Sequence, residues 1–136
     1  MSGGKQVGIV LVSHSGPVAE SVAELARGLA AGGATAPVAA AGGTPAGGLG
    51  TSVELIAEAA RSVDGGAGVA ILVDLGSAVL TVKTMLAEGD ELPDGSRLVD
   101  APFLEGAVAA VVTASAGGDI AAVEAAAVEA HEYHKV

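Results

Sequence analysis

Apolar and polar positions alternate in blocks along this chain. Val7-Gly8-Ile9-Val10-Leu11-Val12 is a continuous apolar run that ends in Ser13. Such a run predicts a strand covered on both faces. Val18 to Ala31 then follows a helical period, with Pro17 suited to the first turn and Gly32-Gly33 as a stop. Its apolar stripe reads Val18, Val22, Leu25 and Leu29. Thr35 to Ala41 is a weaker second strand, and Gly42 to Gly50 (GGTPAGGLG) is a turn-rich loop. Thr51-x-x-Glu54 has the pattern of a capping box and opens a second helix with Val53, Ile56, Ala57 and Ala60 inward. Gly68 to Asp74 is a third strand, closed by a carboxylate, and Ser77 to Glu88 a third helix. Gly89 to Ser96 reads as a polar loop and Arg97 to Asp100 as a short fourth strand. Phe103 to Ser115 and Asp119 to His134 read as two further helices, separated by Gly117-Gly118.

Strands alternating with helices through short connections predict an α/β fold. The expectation is a doubly wound, flavodoxin-like parallel sheet of about four strands, in order 2-1-3-4, with helices on both faces. One domain spanning residues 1–136 is expected, since the length suits a single core and no repeat or boundary is visible.

Composition narrows the function. Six basic and sixteen acidic residues give a net charge of −10. That disfavours nucleic acid and anionic membranes as partners, because both need clustered Lys and Arg. No cysteine is present, so disulfides, thiol catalysis and thiolate metal sites are excluded. The first apolar run is too short to span a membrane and no signal peptide is evident, so a cytoplasmic protein is expected. Hydrophobic residues make up 51% of the chain, and the fourth and fifth helices are nearly all Ala and Val. One subunit is not expected to bury all of that surface, which predicts a homodimer through an apolar face.

A parallel sheet gathers three candidate segments at its carboxyl edge, where open α/β sheets bind ligands. They are His14 in Ser13-His14-Ser15-Gly16-Pro17, the glycine loop into Thr51, and Asp74-Leu75-Gly76-Ser77. An imidazole that attacks phosphorus needs one nitrogen free, while the other donates its proton to a fixed acceptor. Asp74 is the candidate acceptor. Ser15, Thr51 and Ser77 offer hydroxyls to phosphoryl oxygens. Gly16 and Gly76 offer close backbone approach and N–H groups. The plainer alternatives are a structural histidine, an Asp74 that only caps the third helix, and a loop that is only a linker. The loop is not a Walker A motif, because no Lys follows its glycines. His131 and His134 stand three apart, but no acidic or cysteine ligand set accompanies them, so a solvated helix end is expected and no metal.

The segments VLVSHSGPVAESVAELA, GGTPAGGLGTSVELIAEAA, GVAILVDLGSAVLTVKTML and APFLEGAVAAVVTASAGGD cover nearly the whole chain. Together, in this order, they resemble the phosphotransferase subunit of dihydroxyacetone kinase (DhaM), in its mannose-type IIA domain. The resemblance implies a phosphohistidine relay. The phosphocarrier protein HPr would phosphorylate His14, with Asp74 as its orienting partner. The group would pass to ADP, with Mg, held in the nucleotide-binding subunit of the kinase, so this chain itself would bind no cofactor. That subunit would then phosphorylate dihydroxyacetone held by a third subunit. The chain stops after the IIA-like part, which implies a separate HPr, and the resemblance also favours a dimer. The alternative is the IIA domain of a mannose-type sugar transporter, which hands phosphate to a IIB partner. The DLGSA segment favours the kinase. A tetrapyrrole metal chelatase wants a second histidine beside the first, and His131 and His134 are remote in sequence. A sensor with a phosphorylatable histidine remains open.

Overall fold

The computed structural model describes residues 5–30 and 34–136. The predicted helix stop at Ala31 and Gly32-Gly33 lies outside the described residues. Four strands, β1 (Gly8–Ser13), β2 (Val38–Gly42), β3 (Val69–Val73) and β4 (Ser96–Leu98), form one sheet in the order β2-β1-β3-β4, all parallel. The helices are α1 (Gly16–Leu29), α2 (Val53–Val63), α3 (Gly76–Glu88), α4 (Phe103–Ser115) and α5 (Ile120–Glu129), followed by one 3₁₀ turn (Ala130–Glu132). This is the doubly wound, flavodoxin-like arrangement that the alternating pattern predicts.

β1 explains why its sequence carries no polar alternation. Ile9 and Leu11 pack with Ala23, Ala26, Ala107, Ala110 and Val123, which belong to α1, α4 and α5. Val10 and Val12 pack on the other face with Ile56, Ala60, Val82 and Met85, from α2 and α3. A strand between two helical layers has no solvent face to mark.

Small residues set the spacing between layers. A Cβ on Gly8 would lie 2.3 Å from the Val63 carbonyl oxygen of α2, and one on Gly42 would lie 2.4 Å from the Ser15 carbonyl oxygen. The same closeness corrects the predicted stripe of α1. The buried residues are Ala19, Ala23 and Ala26, while Val18, Leu25 and Leu29 are 46%, 45% and 60% exposed. Alanine seats the helix tightly on the sheet; of the predicted stripe, Val22 is half-buried against the core, while Val18, Leu25 and Leu29 are left outside.

Boundaries shift by a few residues. Ser52, not Thr51, caps α2: its hydroxyl accepts from the Leu55 N–H at 3.2 Å. α1 opens at Gly16, with Ser15 as its cap, ahead of the expected Val18. β2 and β4 each sit slightly off the expected spans, Thr35–Ala41 and Arg97–Asp100, because pairing with β1 and β3 fixes their ends. The last helix stops at Glu129, short of His134. Among the described residues, no helix is long and apolar enough to cross a membrane.

Candidate functional site at the carboxyl edge of the sheet

The site grows out of the register between β1 and β3. Val12 pairs with Val73, and the Asp74 N–H continues the ladder to the Val12 carbonyl at 3.1 Å. Ser13 and His14 therefore leave β1 alongside Asp74. One carboxylate oxygen of Asp74, Oδ2, accepts from the Ser13 hydroxyl at 2.9 Å and from the His14 backbone N–H at 3.0 Å. The other, Oδ1, lies 3.0 Å from Nδ1 of the His14 ring. With an ionised carboxylate there, Nδ1 is the donor, which leaves the lone pair on Nε2. Nε2 lies 2.5 Å from the hydroxyl of Ser77, in the first turn of α3, and that hydroxyl is then the donor.

Burial raises the Asp74 carboxyl, but the hydrogen bonds from the His14 backbone, the His14 ring and the Ser13 hydroxyl outweigh it. The carboxyl titrates below its ordinary range. Asp74 is thus an anion whose Oδ1 orients the His14 ring through Nδ1. The His14 side chain is 25% exposed and that of Asp74 is 17% exposed, so the pair lies at the surface edge of the sheet and partly shielded.

The other candidates take varied places. Ser15 accepts from the Val18 N–H at 3.3 Å as the α1 cap, and its hydroxyl proton remains available. The Thr51 hydroxyl turns to α3, where its Oγ1 lies 3.3 Å from Oγ1 of Thr81, one turn beyond Ser77. The glycine pressed hardest against protein backbone beside His14 is Gly42, where a Cβ would lie 2.4 Å from the Ser15 carbonyl oxygen. A Cβ on Gly76 would meet nothing within 4 Å, and one on Gly16 would make ordinary contact at 3.4 Å with the Gly42 carbonyl oxygen. Gly76 opens α3 behind Leu75, which makes no side-chain capping bond, so the helix presents its first N–H groups without a side-chain partner. The glycine loop is tied to the site: Gly43 N–H bonds the Ser13 carbonyl at 3.1 Å and Gly50 N–H bonds the His14 carbonyl at 2.9 Å.

Ser13 joins the site without being among the residues that the sequence singles out. It is 1% exposed at the last position of an otherwise apolar strand. A hydroxyl that deep needs a partner, and that was the available signal.

Among the described residues, one cluster of carboxylates lies away from His14. Glu88, Asp90 and Glu91, around the far end of α3, bring carboxylate oxygens within 4.8 Å of one another, as exposed acidic groups commonly do. His131 Nε2 bonds the Asp100 carbonyl oxygen at 3.1 Å, and His134 is exposed beyond the 3₁₀ turn.

Known proteins share the sequence and fold of this chain. The family model EIIA-man, PTS system fructose IIA component, matches residues 8–124. The chain is 38% identical over 116 residues to the PEP-dependent dihydroxyacetone kinase, phosphoryl donor subunit DhaM, of Escherichia coli (strain K12), covering 84% of this chain and 25% of that protein. It therefore spans about a quarter of that relative's length. It is 36% identical over 107 residues to the PEP-dependent dihydroxyacetone kinase 2, phosphoryl donor subunit DhaM, of Listeria innocua serovar 6a, covering 78% of this chain and 84% of that one. A crystal structure of a protein of unknown function superposes with a TM-score of 0.74 at 30% identity, over 90% of this chain and 92% of the other. A family match across most of the chain and relatives of 36–38% identity lead to one assignment: the chain belongs to the EIIA-man family, the PTS system fructose IIA component, in a DhaM-like form.

Proposed function

We propose that this chain is a phosphohistidine relay component of a PEP-dependent dihydroxyacetone kinase. His14 accepts a phosphoryl group from HPr and passes it to ADP held, with Mg, in the nucleotide-binding subunit of the kinase, which serves the dihydroxyacetone-binding subunit. The observation that carries this reading is the pairing of His14 Nδ1 with Asp74 Oδ1 at 3.0 Å, which leaves Nε2 free to react.

In the forward step the Nε2 lone pair attacks the phosphorus of phosphorylated HPr. The new P–N bond forms as the P–N bond to HPr breaks. The positive charge that develops on the ring is balanced by Asp74 across Nδ1–H. The Ser77 hydroxyl, which meets Nε2 in the resting site, turns its proton to a phosphoryl oxygen. The first N–H groups of α3, at Gly76 and Ser77, suit the same anion. Ser15 and Gly16 border it from α1. Thr51, bonded to Thr81, supports the α3 wall. In the second step a β-phosphate oxygen of ADP attacks the phosphorus and the bond to Nε2 breaks, giving ATP on the partner. With a net charge of −10 and no lysine-bearing phosphate loop, the chain needs that nucleotide presented by another protein.

Incubation with phosphoenolpyruvate, Enzyme I and HPr, followed by intact-mass analysis, tests the first step. One acid-labile phosphate is expected on the wild type and none on His14→Ala. The phosphorylated chain should keep its phosphate with free Mg-ADP and lose it rapidly to the ADP-loaded kinase subunit. Fast discharge to free ADP would overturn the division of labour. A second reading, a sugar-transporter IIA domain, draws on the fructose IIA description of the family model. Discharge to a IIB partner, and none to the kinase subunit, would select it.

The reading includes a homodimer in the cytoplasm, where HPr is found. Much of the Ala and Val of α4 and α5 is buried within one subunit, including Ala110, Ala114 and Val123. One exposed apolar face lies between α1 and α4. There Leu25, Leu29, Leu104, Val112 and Tyr133 border a depression of about 450 Å³.

A further inference from the structure

We propose that Ser13 is the positioning residue of the site: its buried hydroxyl fixes the Asp74 carboxylate and thereby sets the tautomer of His14. This rests on the phosphohistidine reading for its catalytic meaning and on geometry alone for the rest. The Ser13 hydroxyl has one proton, and that proton goes to Asp74 Oδ2 at 2.9 Å. The same oxygen of Ser13 accepts from the Ser15 N–H at 3.1 Å. Ser13 therefore links the carboxylate to the N-cap residue of α1, and its own hydrogen-bonding directions are fixed at both ends.

The consequence lies in how the two carboxylate oxygens are used. Oδ2 is gripped twice, by the Ser13 hydroxyl and by the His14 N–H, on the β1 side. Rotation about the Asp74 side chain would break both bonds. Oδ1 is thus the only oxygen left to face the ring, and it meets Nδ1. Without the hydroxyl, Oδ2 keeps one donor, the carboxylate gains a rotational freedom, and the Ser15 N–H loses its acceptor. The ring would then be held less firmly in the form that frees Nε2. Ser13 does not touch the reacting nitrogen, so its effect travels through Asp74. Its burial, at 1% exposure, keeps water from replacing the lost proton at no cost.

The test compares Ser13→Ala, Asp74→Asn and the double variant. The ring nitrogens of His14 are read by ¹⁵N NMR on the isolated chain at a pH where the ring is neutral. Wild type should show Nδ1 protonated and Nε2 bare. In Ser13→Ala the two nitrogen signals should move toward each other. Phosphoryl uptake from HPr should slow about tenfold, the scale of one hydrogen bond to a charged group. In the Asp74→Asn background, Ser13→Ala should change the rate less than about twofold, as expected for residues that act as one unit. If Ser13→Ala does not fold, Ser13→Cys carries the test, because a thiol fills the same place and is a weak donor. Unchanged ring signals in a folded variant, or an equal slowing in both backgrounds, would overturn the proposal. The NMR arm needs no partner. Absence of phosphoryl uptake by wild type would sink the relay reading and leave the assignment of Ser13 to be decided by the ring signals.

Discussion

Replacing Asp74 with Asn is the sharpest perturbation of this site, because it keeps size and shape and changes one donor. In wild type Oδ2 accepts two protons and Oδ1 accepts a third, from Nδ1. An asparagine has one carbonyl oxygen and one NH₂ group. The Ser13 hydroxyl and the His14 N–H both require the carbonyl, so the NH₂ group is turned toward Nδ1. Nδ1 must then become an acceptor, and the ring proton moves to Nε2, the nitrogen that has to attack. Two losses combine. The charge-assisted bond across Nδ1–H is worth about 1.5–3 kcal/mol, or roughly 10- to 150-fold in rate. Forcing the wrong tautomer extends the effect toward about 10⁴-fold, the scale known for base-orienting carboxylates elsewhere. Rapid-quench measurement of phosphoryl uptake from ³²P-labelled HPr should therefore give a slowing between roughly ten- and ten-thousand-fold. The ¹⁵N spectrum should show protonated Nε2, and the thermal melt should remain cooperative. Wild-type kinetics in a folded Asp74→Asn chain would refute the reasoning at its first step.

Other consequences are open to simple measurement. Gly42→Ala should destabilise the fold by roughly 1–3 kcal/mol in urea melts, because the new methyl meets the Ser15 carbonyl at 2.4 Å; a change within about 0.5 kcal/mol would mean the strand and α1 separate freely. Ser52→Ala should cost about 1 kcal/mol through loss of the α2 cap, and Thr51→Ala distinctly less; the reverse ranking would restore Thr51 as the cap. The lowered Asp74 carboxyl adds stability that is present above its unfolded value, about 3.9, and is lost as pH falls through its lower folded value. The stability advantage of wild type over Asp74→Asn should accordingly shrink as pH is lowered below about 4, and an advantage that grows in acid would reverse the sign. Light scattering at micromolar concentration should give a dimer mass, and Leu25→Asp with Leu104→Asp should give a monomer with unchanged circular dichroism.

What the sequence made legible follows from how strongly each feature is specified locally. The continuous apolar runs of β1 and β3 and the helical periods between them fix the layer order, because only a doubly covered sheet buries both faces. The inward face of α1 was not legible. Its Val and Leu stripe has the stronger hydrophobic signal, yet Ala19, Ala23 and Ala26 face the sheet. Packing distance decided there, and it depends on a glycine in another strand. Thr51 was read as the cap because Glu54 stands three residues on, whereas Ser52 takes that role and its hydroxyl itself reaches Glu54 Oε1 at 3.3 Å. His14, Asp74 and Ser77 were legible as candidates because they follow strand ends, and the fold does bring them within hydrogen-bond distance. Ser13 was not singled out, since a serine ending an apolar run looks like a boundary until its neighbour across the sheet is known.

That neighbour is supplied by register, which ties the fold to the site. Gly8 pairs with Val69 and Val12 with Val73, so residues 8–12 of β1 each have a fixed partner in β3. Continuing one step sets Ser13 beside Asp74. A slip by one residue would bring Val73 or Leu75 to that place and turn every side chain of the strand to the opposite face. Val10 and Val12 would then meet the small alanines of α1 and α4, while Ile9 and Leu11 would meet α2, whose closest approach already admits only the hydrogen of Gly8. The core packing that forbids the slip is therefore also what holds the carboxylate 3.0 Å from the imidazole. Mutations such as Gly8→Ala, far down the strand from His14, should affect the site only by shifting this register or by unfolding the chain.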